Sequence, residues 1–233
     1  MSQDLFAHKA QEYEANARRV ATVQGIGQSL LSAIDLHGDM HLMDFGSGTG
    51  LLLEQLAPVV GKVTAVDVSA AMNQELEAKR HRLPCQLEIL PLDLTGQQLD
   101  ASLVGACFDG IVSSMTLHHV ADILALLARF YTLLPPGGFI ALADLDAEDG
   151  RFHPDMSGVY HAGFARESIR ALAEQAGPNG YSDIILREKR TFSSAEVRGD
   201  ECVSVDENRG QQRYRLTYDG ERYGVPKELQ RLR

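Results

Sequence analysis

Three glycines at alternate positions mark the stretch HLMDFGSGTGLLLEQLAP, residues 41–58. Gly46, Gly48 and Gly50 lie between a short apolar run and a segment with leucines at helical spacing. Glycine inside a regular element costs about 0.5–1 kcal/mol relative to alanine, so three of them require a reason. Without Cβ atoms they let a ligand approach the backbone, and a helix start directs N–H groups toward that ligand. The pattern predicts a site for a small molecule with acidic or hydrogen-bond-accepting groups.

The spacing of these glycines discriminates between nucleotide ligands. Dinucleotide folds prefer G-x-G-x-x-G, whereas this chain has G-x-G-x-G, with Leu51 where the third dinucleotide glycine would stand. A P-loop requires a Lys followed by Ser or Thr, and GTGLLL has neither. Phosphate-cradling sites are therefore disfavoured, although a nicotinamide-dependent dehydrogenase remains an alternative.

Carboxylates and histidines follow other apolar runs. Asp67 ends the run KVTAVDVS, 21 residues after Gly46, and Asp93 follows the next run. His118 and His119 follow FDGIVSSM, where a histidine is suited to remove a proton from a substrate. Neighbouring side chains point in different directions, so one of the two is expected to face the substrate, and we favour His119. Further ligands at metal-binding spacing are absent, so no metal site is predicted.

The elements that carry these residues alternate between strand and helix. The apolar runs HLMDF, KVTAVDVS, QLEILPLDL, FDGIVSSM and FIALADL predict five strands, and helical spacing of apolar residues predicts helices such as DILALLARFYTLL. Ser69 is the predicted N-cap of AAMNQELEAKR. This alternation is typical of a doubly wound, mainly parallel sheet covered on both faces. Ligands of such sheets bind beyond the carboxyl ends of the strands, where the glycines fall.

Composition narrows the class of protein further. The 233 residues carry a formal net charge of −10, which argues against a nucleic-acid or anionic-membrane surface. The three cysteines are far apart and odd in number, so neither disulfides nor a zinc site are expected. The N-terminus lacks a signal-peptide pattern, and the apolar runs fall short of the roughly 20 residues that span a bilayer. We expect a cytoplasmic α/β protein with no nucleic-acid partner and no stable membrane insertion.

Five segments, taken together, resemble the successive motifs of class I S-adenosylmethionine-dependent methyltransferases. They are LMDFGSGTG, VTAVDVS, LPLDLT, FDGIVSSMTLHHV and LLPPGGFIALADLD. The similarity covers roughly residues 6–176 and is closest to small-molecule methyltransferases of the ubiquinone and menaquinone biosynthesis type. It implies a Rossmann-like methyltransferase fold with a seven-stranded sheet, S-adenosyl-L-methionine as the cofactor, and a small-molecule methyl acceptor.

The resemblance also implies a role for individual positions. Asp44 and the glycine loop would hold the amino acid end of the cofactor, Asp67 the ribose hydroxyls, and Asp93 the adenine amino group. The segment FAHKAQEYEA is similar to a leader helix whose tyrosine closes over the cofactor. The implied cofactor-binding residues are Tyr13, Asp44, Gly46, Ser47, Gly48, Thr49, Gly50, Asp67, Val68, Met72, Asp93, Leu94, Ser113, Ser114 and Met115.

A polar stretch after the fifth predicted strand contributes to the expected acceptor pocket. Residues 143–164 resemble the pattern DLDxEDGxFH of part of the family, which places His153 and His161 at the acceptor. The expected catalytic residues are His119 and His153. A solvated loop whose carboxylates cap local turns explains the same composition equally well.

The expected function is methyl transfer to an O, N or C atom of a small metabolite by in-line displacement. A catalytically idle methyltransferase-like subunit that binds the cofactor and regulates a partner is the alternative. Residues 1–37 are expected to form a helical leader or lid, broken near Gly25 and Gly27, and residues 38–190 the cofactor-binding domain. Residues 191–233 are expected to form an irregular, poorly formed antiparallel hairpin and a tail.

Overall fold

A single sheet organises the chain, and the computed structural model describes residues 4, 6–7, 10–96, 100–150, 152–153, 155–177 and 184–187. The strands within these ranges are β1 (His41–Phe45), β2 (Lys62–Val66), β3 (Gln86–Leu90), β4 (Gly110–Ser114), β5 (Phe139–Ala143) and β6 (Ile184–Arg187). Their order is β3-β2-β1-β4-β5-β6, and all neighbours run parallel. The order reverses between β1 and β4, so the switch point lies beside the glycine loop.

The helices within the described ranges are α1 (Ala17–Ala33), α2 (Leu53–Leu56), α3 (Ala70–Lys79), α4 (Ile123–Thr132) and α5 (Arg166–Ala176). Ser69 caps α3 as predicted, since its Oγ accepts a hydrogen bond from Met72 N at 3.2 Å. Asp122 caps α4 in the same way through Ala125 N, at 2.9 Å. None of the described helices is long and apolar enough to cross a bilayer.

The apolar core lies on both faces of the sheet. Successive residues of a strand point to opposite faces, so Leu42 packs with the side chains of α1, α2 and α3, and Met43 packs with those of α4 and α5. All five residues of β5 are buried. Burial on both faces explains why the strands read as continuous apolar runs. The predicted doubly wound α/β fold is confirmed.

The predicted break in the first helix is wrong. Helix α1 runs without interruption through Gly25 and Gly27. A Cβ built on Gly27 would lie 2.7 Å from the Cβ of Gln55. The glycine therefore lets α1 approach α2 closely, and its place in the sequence reflects packing between helices rather than a helix end.

The predicted C-terminal hairpin, residues 191–233, lies outside the described residues, whereas the strand before it is described. Strand β6 neighbours β5 directly and runs parallel to it, with Ile185 opposite Ala141. Six of the seven predicted strands fall in the described ranges. The predictions of a seventh strand and of a tail fall on residues 188–233, outside them.

Candidate functional site

The backbone of the glycine loop faces open space at one position. Gly46, Gly48 and Gly50 all have positive φ, at 71°, 55° and 86°. A Cβ built on Gly48 would have no described atom within 4 Å. The loop is held to β2 because Gly46 N donates to Val66 O at 2.8 Å. A ligand in front of Gly48 would therefore meet a fixed backbone without a side chain in the way.

The other two glycines are required by packing. A Cβ on Gly46 would lie 2.2 Å from the side chain of Thr116, which follows β4. A Cβ on Gly50 would lie 2.5 Å from Leu76 Cδ1 of α3. The structure thus leaves free approach at Gly48, whereas Gly46 and Gly50 make close internal contacts.

Asp67 lies at the end of β2, where it holds two backbone groups. Its Oδ2 accepts from Gly48 N and its Oδ1 from Ser69 N, each at 2.8 Å. Burial raises the pKa of this carboxyl, and the two backbone N–H groups partly oppose the shift. A carboxylate offers about four lone-pair sites, so each oxygen keeps capacity for a second donor. Asp67 can therefore accept from a pair of neighbouring hydroxyl groups.

Asp44 is a buried carboxyl at the end of β1. Its side chain is 1% exposed, and Oδ2 has no hydrogen-bond partner among the residues that the structure describes. Burial, with a contribution from the nearby Asp67, raises its pKa to about 8. A buried acceptor without a partner is costly, so this geometry favours a ligand that brings an N–H donor or a cation.

Further buried acceptors lie in the same region. Ser47 Oγ in the loop and Ser114 Oγ at the end of β4 are buried and find no partner within the described ranges. Ser113, by contrast, donates to Phe45 O at 2.8 Å and ties β4 to β1. Met115 has a positive φ of 58°, so the chain turns sharply where β4 ends. Of the two neighbouring serines, Ser114 presents the free hydroxyl to the site.

The residues expected near adenine have diverse surroundings. Val68 is 63% exposed, whereas Met72 is 2% exposed. Asp93 is exposed, and its Oδ1 accepts from Thr95 N and Oγ1 at 2.8 and 2.6 Å. Leu94 is buried, and its carbonyl accepts from Arg129 Nη1 at 3.0 Å. Asp93 thus closes a local turn in this structure, with its carboxylate still open to solvent.

The described residues of the leader segment contact the glycine loop and the segment after β2. Asp4 Oδ2 accepts from Ser69 Oγ at 2.9 Å, next to Asp67. Glu14 accepts from Thr49 Oγ1 of the glycine loop at 2.6 Å and pairs with Lys79 of α3. No local sequence pattern predicts these contacts, because each one joins residues far apart along the chain.

Tyr13 lies in a single 3-10 turn, Tyr13–Ala15, ahead of α1. Its ring is half-buried, and the guanidinium carbon of Arg19 lies over it, 4.1 Å from the ring centroid. Burial raises the pKa of the phenol, Arg19 lowers it and Asp67 raises it.

His119 is fixed by the loop after β5. Its Nδ1 donates to Gly158 O at 2.7 Å, because a carbonyl can only accept. Burial, followed by the neighbouring His118, lowers the pKa of His119 to about 4. The ring of His153 lies 5.7 Å from it and that of Phe6 5.2 Å, both edge-on. His161 donates through Nε2 to Val120 O at 2.9 Å, so its ring supports the backbone.

Of the two neighbouring histidines, His118 is more buried than the favoured His119. It is 1% exposed, and its Nδ1 lies 2.6 Å from Asp144 Oδ1. Asp144 follows β5 directly and belongs to the stretch for which a solvated loop was the alternative, yet its side chain is only 7% exposed. The signal for this pair was available, since neighbouring parallel strands β4 and β5 bring their carboxyl ends together.

No group of three or more His, Cys, Asp or Glu side chains in the described part of the chain is arranged to hold a metal ion. Polar side chains are concentrated in two regions near the carboxyl ends of the strands. One contains Asp44, the loop and Asp67, and the other contains His118, His119 and His153. The first suits a ligand with a cationic group and paired hydroxyls, and the second suits a partner that gives up a proton.

Comparison with known proteins gives the family. The methyltransferase domain family matches residues 13–192. An uncharacterized methyltransferase of Schizosaccharomyces pombe is 31% identical over 179 residues, which cover 71% of this chain and 58% of that protein. A ubiquinone biosynthesis O-methyltransferase of Xanthomonas campestris is 31% identical over 111 residues, covering 48% of this chain and 45% of that protein. The chain thus spans about half the length of these curated relatives.

The fold agrees with that of solved methyltransferases. The structure of a SAM-dependent methyltransferase from Aquifex aeolicus superimposes with a TM-score of 0.58 at 20% identity, covering 78% of this chain and 90% of that one. The family match covers well over half of the chain. The chain therefore belongs to the methyltransferase domain family, and the resemblance of its motifs to class I S-adenosylmethionine-dependent methyltransferases is confirmed.

Proposed function

We propose that the chain transfers a methyl group from S-adenosylmethionine to an O, N or C atom of a small metabolite. The observation that carries this proposal is the open approach to Gly48, in a loop that follows the buried Asp44 and is bonded to the half-buried Asp67. When bound, the cofactor supplies a methyl group already activated by its sulfonium. The chain's own residues then have to bind, orient and exclude water, and where needed accept a proton.

The buried acceptors fit the two ends of this cofactor. Asp44 Oδ2, which lacks a partner within the part of the chain that the structure describes, suits the ammonium of the methionine part. Asp67 keeps one lone pair on each oxygen, which suits two vicinal ribose hydroxyls. Ser47, Gly48 and Thr49 would contribute the loop between them. Gly46 and Gly50 would act by keeping that loop in shape.

The remaining cofactor assignments follow the order of the strands. We place Val68, Met72, Asp93 and Leu94 around the adenine, since they follow β2 and β3. Ser114 and Met115 are assigned to the wall near the methyl group, with Ser113 behind them as a link between strands. Tyr13 is assigned to the cover, supported by its position close to Asp67.

The enclosure of the site supports a small acceptor. The leader lies over the loops after β1 and β2 through Asp4 and Glu14, and Phe6 packs edge-on against His119. A macromolecular acceptor would have to displace these contacts, whereas a metabolite can be enclosed by them. Enclosure also excludes water from the reacting groups.

Calorimetry with S-adenosylhomocysteine and, separately, NAD tests the proposal. We expect binding of S-adenosylhomocysteine, and a roughly ten- to hundredfold weaker affinity in Asp67→Asn, since hydrogen bonds to a charged group are worth about 1.5–3 kcal/mol. Asp109→Asn is the matched control. Its Oδ2 also accepts a backbone N–H, from His41 at 2.7 Å, but at the amino end of the strands. That variant should keep wild-type affinity.

Three results would count against parts of this proposal. Equal affinity in Asp67→Asn and wild type would remove the ribose assignment. Binding of NAD without S-adenosylhomocysteine would favour a dehydrogenase. Binding of the cofactor with no methyl transfer across a panel of metabolites would favour the idle regulatory subunit.

A further inference from the structure

We propose that His118, positioned by Asp144, accepts the proton of a phenol-type hydroxyl on the methyl acceptor. This inference rests on the proposed function, which it deepens by naming the class of acceptor and the proton-accepting atom. The atom is Nε2 of His118. It is buried and has no hydrogen-bond partner anywhere in the described ranges.

The hydrogen bonds of Asp144 determine which ring nitrogen of His118 carries the proton. Asp144 Oδ1 accepts from Leu145 N and Oδ2 from Leu117 N, both at 2.7 Å. Oδ1 also lies 2.6 Å from His118 Nδ1. Because an ionised carboxylate only accepts hydrogen bonds, Nδ1 carries the proton and the lone pair is on Nε2. A positive charge that develops on the ring is then stabilised by the carboxylate, which is the arrangement that makes an imidazole an effective base.

Within the described part of the chain, no group makes a hydrogen bond to Nε2 of His118. The rings of His119 and His153 face it at centroid distances of 4.1 and 4.8 Å. His119 donates to Gly158 O and, with a pKa lowered to about 4, is a weak base at neutral pH. On the far side, Tyr160 N and His161 N donate to the His118 carbonyl, and the His161 ring points to Val120 O. Asp144 is the carboxylate that pairs with the ring.

The class of acceptor follows from the proton that such a base can remove. A phenol has a pKa of about 10, the value for tyrosine, and so lies within reach of an imidazole, whereas an aliphatic alcohol is far less acidic. A neutral amine attacks through its own lone pair and requires no prior deprotonation. The aromatic rings of Phe6 and Phe152 pack edge-on against His119 and His153, which suits a planar aromatic acceptor.

The proton step balances without a further reactant. The O–H bond of the acceptor breaks, its electron pair stays on oxygen, and the proton binds His118 Nε2. The imidazolium remains paired with Asp144 and later gives the proton to solvent. The negative oxygen left behind is the nucleophile.

The experiment uses the full chain with S-adenosylhomocysteine and 4-nitrophenol, whose ionised form absorbs visible light. At a pH where most free 4-nitrophenol is protonated, we expect the wild-type protein to bind it as phenolate. His118→Gln should abolish the phenolate band, and Asp144→Asn should reduce it severalfold. His119→Gln discriminates between the two neighbouring histidines, since a base at His119 predicts the loss of the band in that variant instead.

The readouts separate this inference from the proposed function. Affinity for S-adenosylhomocysteine reports the cofactor site and the fold of each variant, and the phenolate band reports proton transfer alone. If the wild-type protein leaves 4-nitrophenol protonated, or if His118→Gln ionises it as well as wild type does, the inference is wrong even with cofactor binding intact. Should His118→Gln fail to fold, a band of wild-type strength in Asp144→Asn overturns it.

Discussion

Asp44→Asn is expected to flatten the pH dependence of stability between about pH 4 and pH 8. Burial raises the pKa of Asp44 from 3.8 to about 8, so across this window the folded chain holds a proton that the unfolded chain has released. The free energy of unfolding therefore falls as the pH rises, by at most about 1.4 kcal/mol per pH unit from this group. Asparagine does not titrate, and its variant loses this slope.

Denaturant unfolding of the wild type and of Asp44→Asn at pH 5 and pH 8 measures the effect. The wild type should lose more stability between the two pH values than the variant does. Asp67 has a pKa raised in the same direction, so a smaller slope should persist in the variant. Equal slopes in the two proteins would show that Asp44 is ionised in the folded chain. Asp109→Asn, an exposed carboxylate, serves as the control.

The same carboxyl is expected to link cofactor binding to proton release. An ammonium group placed against Asp44 favours its ionised form, so binding near pH 7 should release a proton. Calorimetric titration with S-adenosylhomocysteine in two buffers of different ionisation enthalpy measures this release. Asp44→Asn should bind more weakly and release fewer protons. The same observed enthalpy in both buffers for the wild type would contradict the assignment of the ammonium to Asp44.

Gly48→Ala is expected to weaken binding of S-adenosylhomocysteine by at least roughly tenfold, while Gly105→Ala leaves it unchanged. The two glycines share positive φ, 55° and 78°, and a Cβ on either meets no described atom within 4 Å. Alanine in the left-handed region costs about 1–2 kcal/mol, so both variants should lose similar stability. The methyl group at Gly48 also occupies the space assigned to the cofactor, and a tenfold loss corresponds to about 1.4 kcal/mol.

This pair separates backbone strain from ligand exclusion. Thermal unfolding should report similar losses for both variants, and calorimetry should report a loss of affinity for Gly48→Ala alone. Unchanged affinity in Gly48→Ala would show that the open space is not part of the cofactor site. Weakened affinity in both variants would show that backbone strain at a position remote from the site also lowers affinity for S-adenosylhomocysteine.

Local sequence patterns were sufficient to predict the secondary-structure elements and the sheet. Each of the five predicted strands matches a strand of the structure, because buried parallel strands require continuous apolar runs between turn signals. The glycine loop after β1 and Asp67 after β2 could be placed from the alternation alone, since parallel strands end at the same edge. The uninterrupted helix through Gly25 and Gly27 could not be predicted, because the reason for Gly27 is its contact with the neighbouring helix α2.

The histidine region and the leader depend on contacts between distant segments. His118 and Asp144 are 26 residues apart, and Glu14 and Lys79 are 65 apart. Which of two adjacent histidines enters the core depends on the turn after Met115 and on the carboxylate that follows β5. Residue types and spacing were sufficient to predict the fold and the position of the glycine loop, because these follow from local periodicity and from rules for parallel sheets. The choice of His118 over His119, and the closure of the leader, came from packing, because side-chain direction and partners are set by elements that meet only in the folded chain.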